Sequence, residues 1–143
     1  MIYLDNAATT AVKPEVLEAM MPYFMENYSN PNSVYSFAQE SHKVVDDARD
    51  TIAELLHAKG NEIYFTGGGS ESDNWALKAA ADAFSSKGKH IITSKIEHHA
   101  ILHTCEFLEK HGFEVTYLDV DANGLVSPES LKTAIRPDTI LVS

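Results

Sequence analysis

Three consecutive glycines, Gly67, Gly68 and Gly69, lie between an apolar segment and a segment with helical spacing, and Ser70 follows them. This order predicts a strand, a glycine turn and a helix with Ser70 as its N-cap and Asp73 three residues later. Backbone N–H groups at a helix N-terminus lack partners within the helix and carry the positive end of its dipole, and glycine lets an anion approach them. The pattern predicts a phosphate-binding turn, to which Ser70 would add a hydroxyl donor.

A purely structural explanation fits the same glycines equally well. Glycine readily adopts the left-handed conformation, so a tight turn capped by Ser70 would need glycine for backbone reasons alone. The turn is not a Walker loop, because no lysine follows at the required position, and it lacks the G-x-G-x-x-G spacing of a dinucleotide fold. The local pattern therefore leaves phosphate binding and a left-handed turn open.

A second candidate site is the segment SKIEHHAILHTC, in which three histidines gather between a predicted strand and a predicted helix. His99 and His103 have the i, i+4 spacing of a zinc-binding pair, but the H-E-x-x-H order is absent, so no metal is expected. His98 would follow the carboxyl end of a parallel strand, where α/β folds bind their ligands. Exposed histidines without a chemical role are the alternative. Cys105 has no neighbouring base and is predicted to be a core residue rather than a nucleophile.

Alternating helices and strands must position these two segments. Strands are predicted at residues 62–66, 89–94, 113–120 and 139–143. Helices are predicted from Pro14 onward and at residues 34–57, 70–86, 97–111 and 127–135, the last with Ser127 as N-cap and Pro128 in its first turn. Because strands and helices alternate, we expect an α/β fold with a largely parallel sheet flanked by helices.

The composition is that of an ordinary globular domain, with 143 residues of which 44% are apolar and 22% are charged. A formal net charge of −10 argues against nucleic acid or an anionic membrane surface as a partner. No apolar run approaches the length of a membrane span. The single cysteine excludes an intrachain disulfide, and the cytoplasm is the simplest compartment for such a chain.

Four motifs, YLDNAATT, NPNS, TGGGSESDN and SKIEHHAIL, occur in the order and spacing found in cysteine desulfurases of the NifS and IscS types. Along its whole length the chain therefore resembles the pyridoxal-phosphate (PLP) enzymes of aminotransferase class V. The resemblance implies the N-terminal part of the PLP-dependent transferase fold, fold type I. In that family the glycine turn and its hydroxyl residue bind the cofactor phosphate, a role that falls here on Gly69 and Ser70. The motif histidine, which stacks on the pyridine ring and helps to move protons, is His98.

The resemblance also implies a reaction and its participants. Cysteine desulfurases remove sulfur from L-cysteine, release L-alanine and leave a persulfide on an enzyme cysteine. A sulfur-acceptor or scaffold protein then takes the sulfur for iron–sulfur cluster or thio-cofactor assembly. The cofactor, pyridoxal 5'-phosphate, supplies the electronic chemistry, and His98 is the expected catalytic residue in this chain. A homodimer is expected for the full-length form.

The sequence also departs from the family pattern. The commoner loop reads S-G-[AG]-T-E-S, so Gly67 and Ser70 replace a serine and a threonine, and Tyr35 stands where a histidine usually follows NPNS. Residues 1–143 contain no counterpart of the family's Schiff-base lysine, its pyridine-pairing aspartate or its nucleophilic cysteine. The chain is therefore expected to be an N-terminal segment with an incomplete cofactor-binding large domain, inactive alone. Its end within an apolar, strand-like run agrees with that expectation.

Two other functions remain open at the level of sequence. The first is a different class V enzyme, such as a selenocysteine lyase or an aminotransferase, which would share the cofactor pocket and differ in the missing part. The second is a non-catalytic remnant that still binds phosphate compounds or a partner protein.

Overall fold

The computed structural model describes residues 2–143, and the chain divides into two compact units, one ending at Tyr64 and the next beginning at Phe65. The first unit contains α1 (Pro14–Met25), α2 (Ser36–Leu55) and a 3₁₀ turn (Gly60–Glu62). The second unit contains, in chain order, α3 (Gly69–Phe84), β1 (His90–Ser94), α4 (His99–Lys110), β2 (Glu114–Leu118), α5 (Pro128–Ala134) and β3 (Thr139–Val142). Among residues 2–143, every helix is too short or too polar to cross a bilayer.

Proline and turn residues define the helices of the first unit, as the sequence predicted. α1 begins at Pro14, whose missing N–H falls where a helix has no internal acceptor. Between the two helices, the Asn30 side chain accepts a hydrogen bond from the Asn32 N–H at 2.9 Å, and the Ser33 N–H donates to the Asn30 carbonyl at 3.1 Å. α2 lies within the predicted range 34–57. Its buried residues are Ala38, Ser41 and Ala53.

Three parallel strands form the sheet of the second unit, in the order β2-β1-β3. β1 is central, and all five of its residues are buried. Its first residue, His90, lies opposite Glu114 of β2 and Thr139 of β3. Parallel strands need crossover connections, and the connection between β1 and β2 contains α4. The predicted α/β fold with a parallel sheet flanked by helices is confirmed.

The core of the second unit lies where helices α3 and α4 pack against the sheet. Its buried members are Leu77, Ala81, Ile91, Ile101, Cys105 and Leu108. Leu77 and Ala81 are four residues apart on α3, whereas the α4 members recur at spacings of four and three residues, so each set shares one helical face. Packing of the two faces holds α3 and α4 against β1, which in turn positions the first residues of both helices.

The predicted strand at residues 62–66 is wrong. Glu62 ends the 3₁₀ turn and the next four residues join no sheet, although Ile63 has the extended dihedrals of a strand (φ −103°, ψ 125°). An extended segment becomes a strand only when a neighbouring strand pairs with its backbone, and none of β1, β2 and β3 pairs with this segment. The apolar residues of this segment indicate extension, whereas pairing depends on segments distant in sequence.

His90 is a buried histidine that the sequence pattern did not distinguish from an ordinary strand residue. Its side chain is 0% exposed, and its Nδ1 and Nε2 atoms hydrogen-bond to Thr139 Oγ1 at 2.7 Å and Thr116 Oγ1 at 2.8 Å. Burial, with a smaller contribution from the Arg136 guanidinium, lowers the pKa of His90. The neutral ring therefore links all three strands through its two threonine partners.

Thr116→Val is expected to lower the free energy of unfolding by about 1–3 kcal/mol, because valine keeps the side-chain shape but leaves His90 Nε2 buried without a partner. The measurement is urea unfolding of the natural protein that carries this chain, at neutral pH. Thr133→Val is the matched control, since Thr133 Oγ1 donates to the Glu129 carbonyl on the exposed surface of α5. The control should change stability by less than about 0.5 kcal/mol. Equal stabilities of the two variants would contradict the structural role of His90.

Candidate functional site

The glycine turn passes into α3 earlier than the sequence predicted. Gly68 is the N-cap and Gly69 the first residue of α3, so Ser70 lies inside the first helical turn, and its predicted N-cap role is wrong. Gly68 has an extended backbone (φ 160°, ψ 174°), and its carbonyl accepts hydrogen bonds from the N–H groups of Glu71 at 3.1 Å and Ser72 at 3.2 Å. A helix begins at the residue whose carbonyl accepts the first helical hydrogen bonds. Here that residue is Gly68, and no serine hydroxyl caps the helix.

The left-handed explanation of the glycines is also wrong. The described residues with positive φ in the left-handed region are His57, Gly112 and Gly124, none of which belongs to the turn. A Cβ built on Gly68 or Gly69 would meet no atom within 4 Å. Neither the backbone conformation nor the packing of this chain therefore requires glycine at these two positions. The open space in front of Gly68, here called the cradle, suits a group that approaches the backbone from outside this chain.

Donor groups of the first turn of α3 lie beside the cradle. The N–H groups of Gly69 and Ser70 have no acceptor in the part of the chain that the structure describes, as expected for the first residues of a helix. The Ser70 side chain is exposed. The positive end of the helix dipole adds to the attraction for an anion. A phosphate dianion fits this set of donors and the open cradle.

His98 is the N-cap of α4, in the connection that follows the carboxyl end of β1. Its Nδ1 accepts a hydrogen bond from the Ala100 N–H at 3.1 Å. Because Nδ1 is the acceptor, the neutral ring carries its proton on Nε2. The ring is exposed, so this Nε2–H is accessible. The ring can take up a proton at Nδ1 only when Nδ1 releases the Ala100 N–H. Helix capping and proton transfer therefore compete for the same Nδ1 lone pair.

The other two histidines of the segment pair with each other. The rings of His99 and His103 stack with centroids 5.4 Å apart and planes at 16°, and His103 Nδ1 lies 3.3 Å from Glu106 Oε2. His98 is tilted by 59° against His99 and does not stack on it. Within residues 2–143 no group of three histidine, cysteine, aspartate or glutamate side chains has the arrangement of a metal site.

Cys105 lies in the core between α3, α4 and the sheet, so its predicted structural role is confirmed. The side chain is 0% exposed. Burial, with smaller contributions from the negative charges of Glu109 and Glu97, raises the pKa of the Cys105 thiol to about 11. A buried thiol with so high a pKa holds almost no thiolate at neutral pH and is a poor nucleophile.

Alkylation by iodoacetamide at about pH 8 should therefore modify Cys105 at least about tenfold more slowly in the native protein than in urea, because the native thiol is both buried and protonated. Peptide mapping by mass spectrometry of the natural protein measures both rates at this one residue. The peptide spanning residues 99–110 from the urea-treated sample is its own control. Equal native and denatured rates would contradict the core position of Cys105.

The structure places the predicted site residues at the starts of two packed helices. Gly69 and Ser70 open α3, His98 caps α4, and the two helices share one hydrophobic core. The sequence interpretation missed Glu71, whose carboxylate accepts the Gly67 N–H at 2.6 Å. A glutamate three residues after an N-cap can reach back to backbone N–H groups at the helix start, and this signal would have been visible if the helix start had been predicted at Gly68.

Comparison with known families gives a match over nearly the whole chain. The family model of aminotransferase class V matches residues 2–143. The cysteine desulfurase IscS of Clostridium botulinum (strain Kyoto / Type A2) is 60% identical over 142 residues, which are 99% of this chain and 36% of the relative. The cysteine desulfurase IscS of Methanosarcina thermophila is 59% identical over 142 residues, with 99% and 35% covered. The chain thus spans little more than a third of the length of the curated relatives it matches.

Solved structures agree with the sequence comparison. A NifS-like protein superimposes with a TM-score of 0.93 at 41% identity, over 99% of this chain and 39% of that protein. The structure described as SspA in complex with cysteine superimposes with a TM-score of 0.90 at 44% identity, over 98% of this chain and 40% of that protein. The likeness extends to the glycine turn and to the segment that carries His98, since nearly the whole chain is covered.

Proposed function

Because this chain belongs to the aminotransferase class V family, we propose that it is the N-terminal part of a PLP-dependent cysteine desulfurase. The lysine that anchors the cofactor and the cysteine that receives sulfur would then lie in sequence beyond Ser143. Relatives named cysteine desulfurase, matched over 99% of this chain but only 36% of their own length, support this proposal. Residues 1–143 alone would be inactive.

The observation that carries the proposal is the cradle at Gly68. Glycine at position 68 serves no conformational or packing need of the chain itself, and the adjoining N–H groups of Gly69 and Ser70 have no acceptor among residues 2–143. A phosphate that approaches the backbone there would gain charge-assisted hydrogen bonds and the helix dipole. The Ser70 hydroxyl would add a further donor, in the place of the threonine of the commoner family loop.

The glycine turn and His98 would have different roles in this reaction. When bound, PLP supplies an electron sink for the bonds at the substrate Cα. Gly69 and Ser70 would hold the phosphate and so fix the position of the ring. His98 would stack on the ring and hold a proton at Nε2, which it could release to the reacting groups only as Nδ1 leaves the Ala100 N–H and takes another proton.

The proposed substrate is L-cysteine. Its sulfur would pass to an enzyme thiolate, the Cβ–S bond of the substrate breaking as the new S–S bond of a persulfide forms. The electron pair of the broken bond would stay with the carbon skeleton, and Cβ would take a proton, such as the one lost by the enzyme thiol, to give L-alanine. A sulfur-acceptor or scaffold protein would then take the sulfur from the persulfide. The resemblance to the desulfurases supports a homodimer in the cytoplasm as the working form. The solved structure described as SspA in complex with cysteine supports the choice of substrate.

Ser70→Ala is expected to weaken PLP binding by about 10- to 100-fold, because one hydrogen bond to a charged phosphate oxygen contributes about 1.5–3 kcal/mol. The measurement is titration of the cofactor-stripped natural protein with PLP, followed by absorbance. Ser70→Thr is the control, since threonine keeps the hydroxyl, and it should bind within about threefold of the parent. If alanine and threonine variants bind PLP equally well, Ser70 does not hold the phosphate.

A further inference from the structure

We propose that Glu71 is a positioning residue that orients the backbone N–H donors of the glycine turn toward the phosphate. This inference rests on the proposed function. The Glu71 carboxylate reaches back along the first turn of α3, and its Oε2 accepts the Gly67 N–H at 2.6 Å. That N–H is therefore held by the protein, while the N–H groups of Gly69 and Ser70 keep no protein acceptor in the described chain. Glu71 thus decides which donors of the turn remain for a ligand.

The Glu71 carboxylate also packs closely against Gly67. A Cβ on Gly67 would lie 3.1 Å from Glu71 Oε2, which is tighter than ordinary van der Waals contact. Gly68 and Gly69 have no such neighbour. Gly67 therefore lies against the Glu71 carboxylate, whereas Gly68 leaves the cradle open.

A second set of contacts holds the opposite side of the turn. The Thr66 hydroxyl donates to the Gly68 carbonyl at 3.2 Å, and Thr66 Oγ1 lies 2.7 Å from Ser72 Oγ. The same carbonyl accepts the first helical hydrogen bonds. The peptide unit that joins Gly68 to Gly69 is planar and trans, so its C=O and N–H point in opposite directions. When the Gly68 oxygen is held toward the body of α3, the Gly69 N–H points in the opposite direction, out of the N-terminal end of the helix.

The charge of Glu71 and its hydrogen bond to Gly67 have opposite expected effects on phosphate binding. A carboxylate beside the same helix N-terminus repels a phosphate dianion, whereas its hydrogen bond to Gly67 orders the turn before binding. Glutamine keeps an acceptor oxygen at the same reach without the charge. Aspartate keeps the charge but is one methylene shorter, and alanine removes both. These three replacements therefore separate ordering of the turn from electrostatics.

The test is PLP titration of the cofactor-stripped natural protein and of its Glu71→Gln, Glu71→Asp and Glu71→Ala variants, with Ser70→Ala alongside. Glu71→Ala and Glu71→Asp should bind PLP about 5- to 20-fold more weakly, and Glu71→Gln should bind as tightly as the parent or up to about threefold tighter. Pyridoxal, which lacks the phosphate, should bind all Glu71 variants alike. Asp82→Ala, an acidic residue replaced farther along the same helix, should leave PLP binding unchanged.

The outcomes separate this inference from the proposed function. If Ser70→Ala weakens PLP binding and Glu71→Ala does not, the positioning role of Glu71 is overturned and the proposed function stands. The role is also overturned if Glu71→Gln is as weak as Glu71→Ala, or if pyridoxal binding falls together with PLP binding. If the parent protein binds no PLP, the proposed function fails and this inference fails with it. Should Glu71→Ala not fold, the Gln and Asp variants alone decide.

Discussion

Gly68→Ala is expected to weaken PLP binding by about 100-fold or more while the fold is retained. The added Cβ meets no atom of this chain within 4 Å, and the extended backbone of Gly68 accommodates a side chain, so stability should change by less than about 1 kcal/mol. The same methyl group would fill the cradle and hold the phosphate away from the donors of Gly69 and Ser70. Losing two charge-assisted hydrogen bonds of about 1.5–3 kcal/mol each gives the expected loss in affinity.

Gly69→Ala is the matched control for this experiment. It adds the same methyl group one residue later, where the commoner family loop admits alanine, and it keeps the Gly69 N–H donor. PLP affinity should stay within about threefold of the parent, and alanine in the first turn should not weaken the helix. Absorbance titration gives the affinities and thermal unfolding checks the fold. A Gly68 variant that binds PLP as tightly as the parent would show that no ligand occupies the cradle.

His98→Asn is expected to slow the desulfurase reaction by about 100- to 10,000-fold, the usual contribution of a positioned acid–base group, with a smaller loss of PLP affinity. Asparagine is chosen because its side-chain oxygen can accept the Ala100 N–H in the place of His98 Nδ1 and so keep α4 capped. The stability of the helix is then separated from the chemistry of the ring. The measurement is the rate of alanine formation from L-cysteine by the PLP-loaded natural protein.

His99→Asn is the matched control, because His99 is exposed, adjacent in sequence and stacked on His103 instead of lying at the cap. Its rate should stay within about threefold of the parent. A comparable loss in both variants would point to a general disturbance of the start of α4. A normal rate in His98→Asn would remove His98 from the proposed chemistry altogether.

Local patterns in the sequence predicted most of the fold. Helix α2 and strands β1, β2 and β3 follow from apolar spacing, and the start of α1 follows from Pro14, because these signals act within a few residues. The strand predicted at 62–66 failed because pairing needs a partner that the local residues do not specify. His90 was missed for the same reason, since its threonine partners lie 26 and 49 residues away.

The candidate site was predictable in its residues and less so in its geometry. The glycines left two explanations open, because a glycine can serve its own φ angle or the approach of a neighbour. The dihedrals and the open space at Gly68 and Gly69 exclude the first explanation. Ser70 was assigned to the cap because serine prefers that position, but the extended Gly68 and its carbonyl set the true start of α3. The cap made by His98 was missed although it joins residues only two apart, because histidine is not among the residue types that usually cap helices.

The most direct test of the central claim is product analysis of the full-length natural protein supplied with L-cysteine, PLP and a thiol reductant. A cysteine desulfurase would form L-alanine and sulfide in equal amounts, the reductant releasing sulfide from the persulfide, and removal of PLP would abolish both products. Three results would contradict the proposed function: pyruvate with ammonia, which are elimination products; the sulfur-containing keto acid that transamination would give; or no turnover by the PLP-loaded protein.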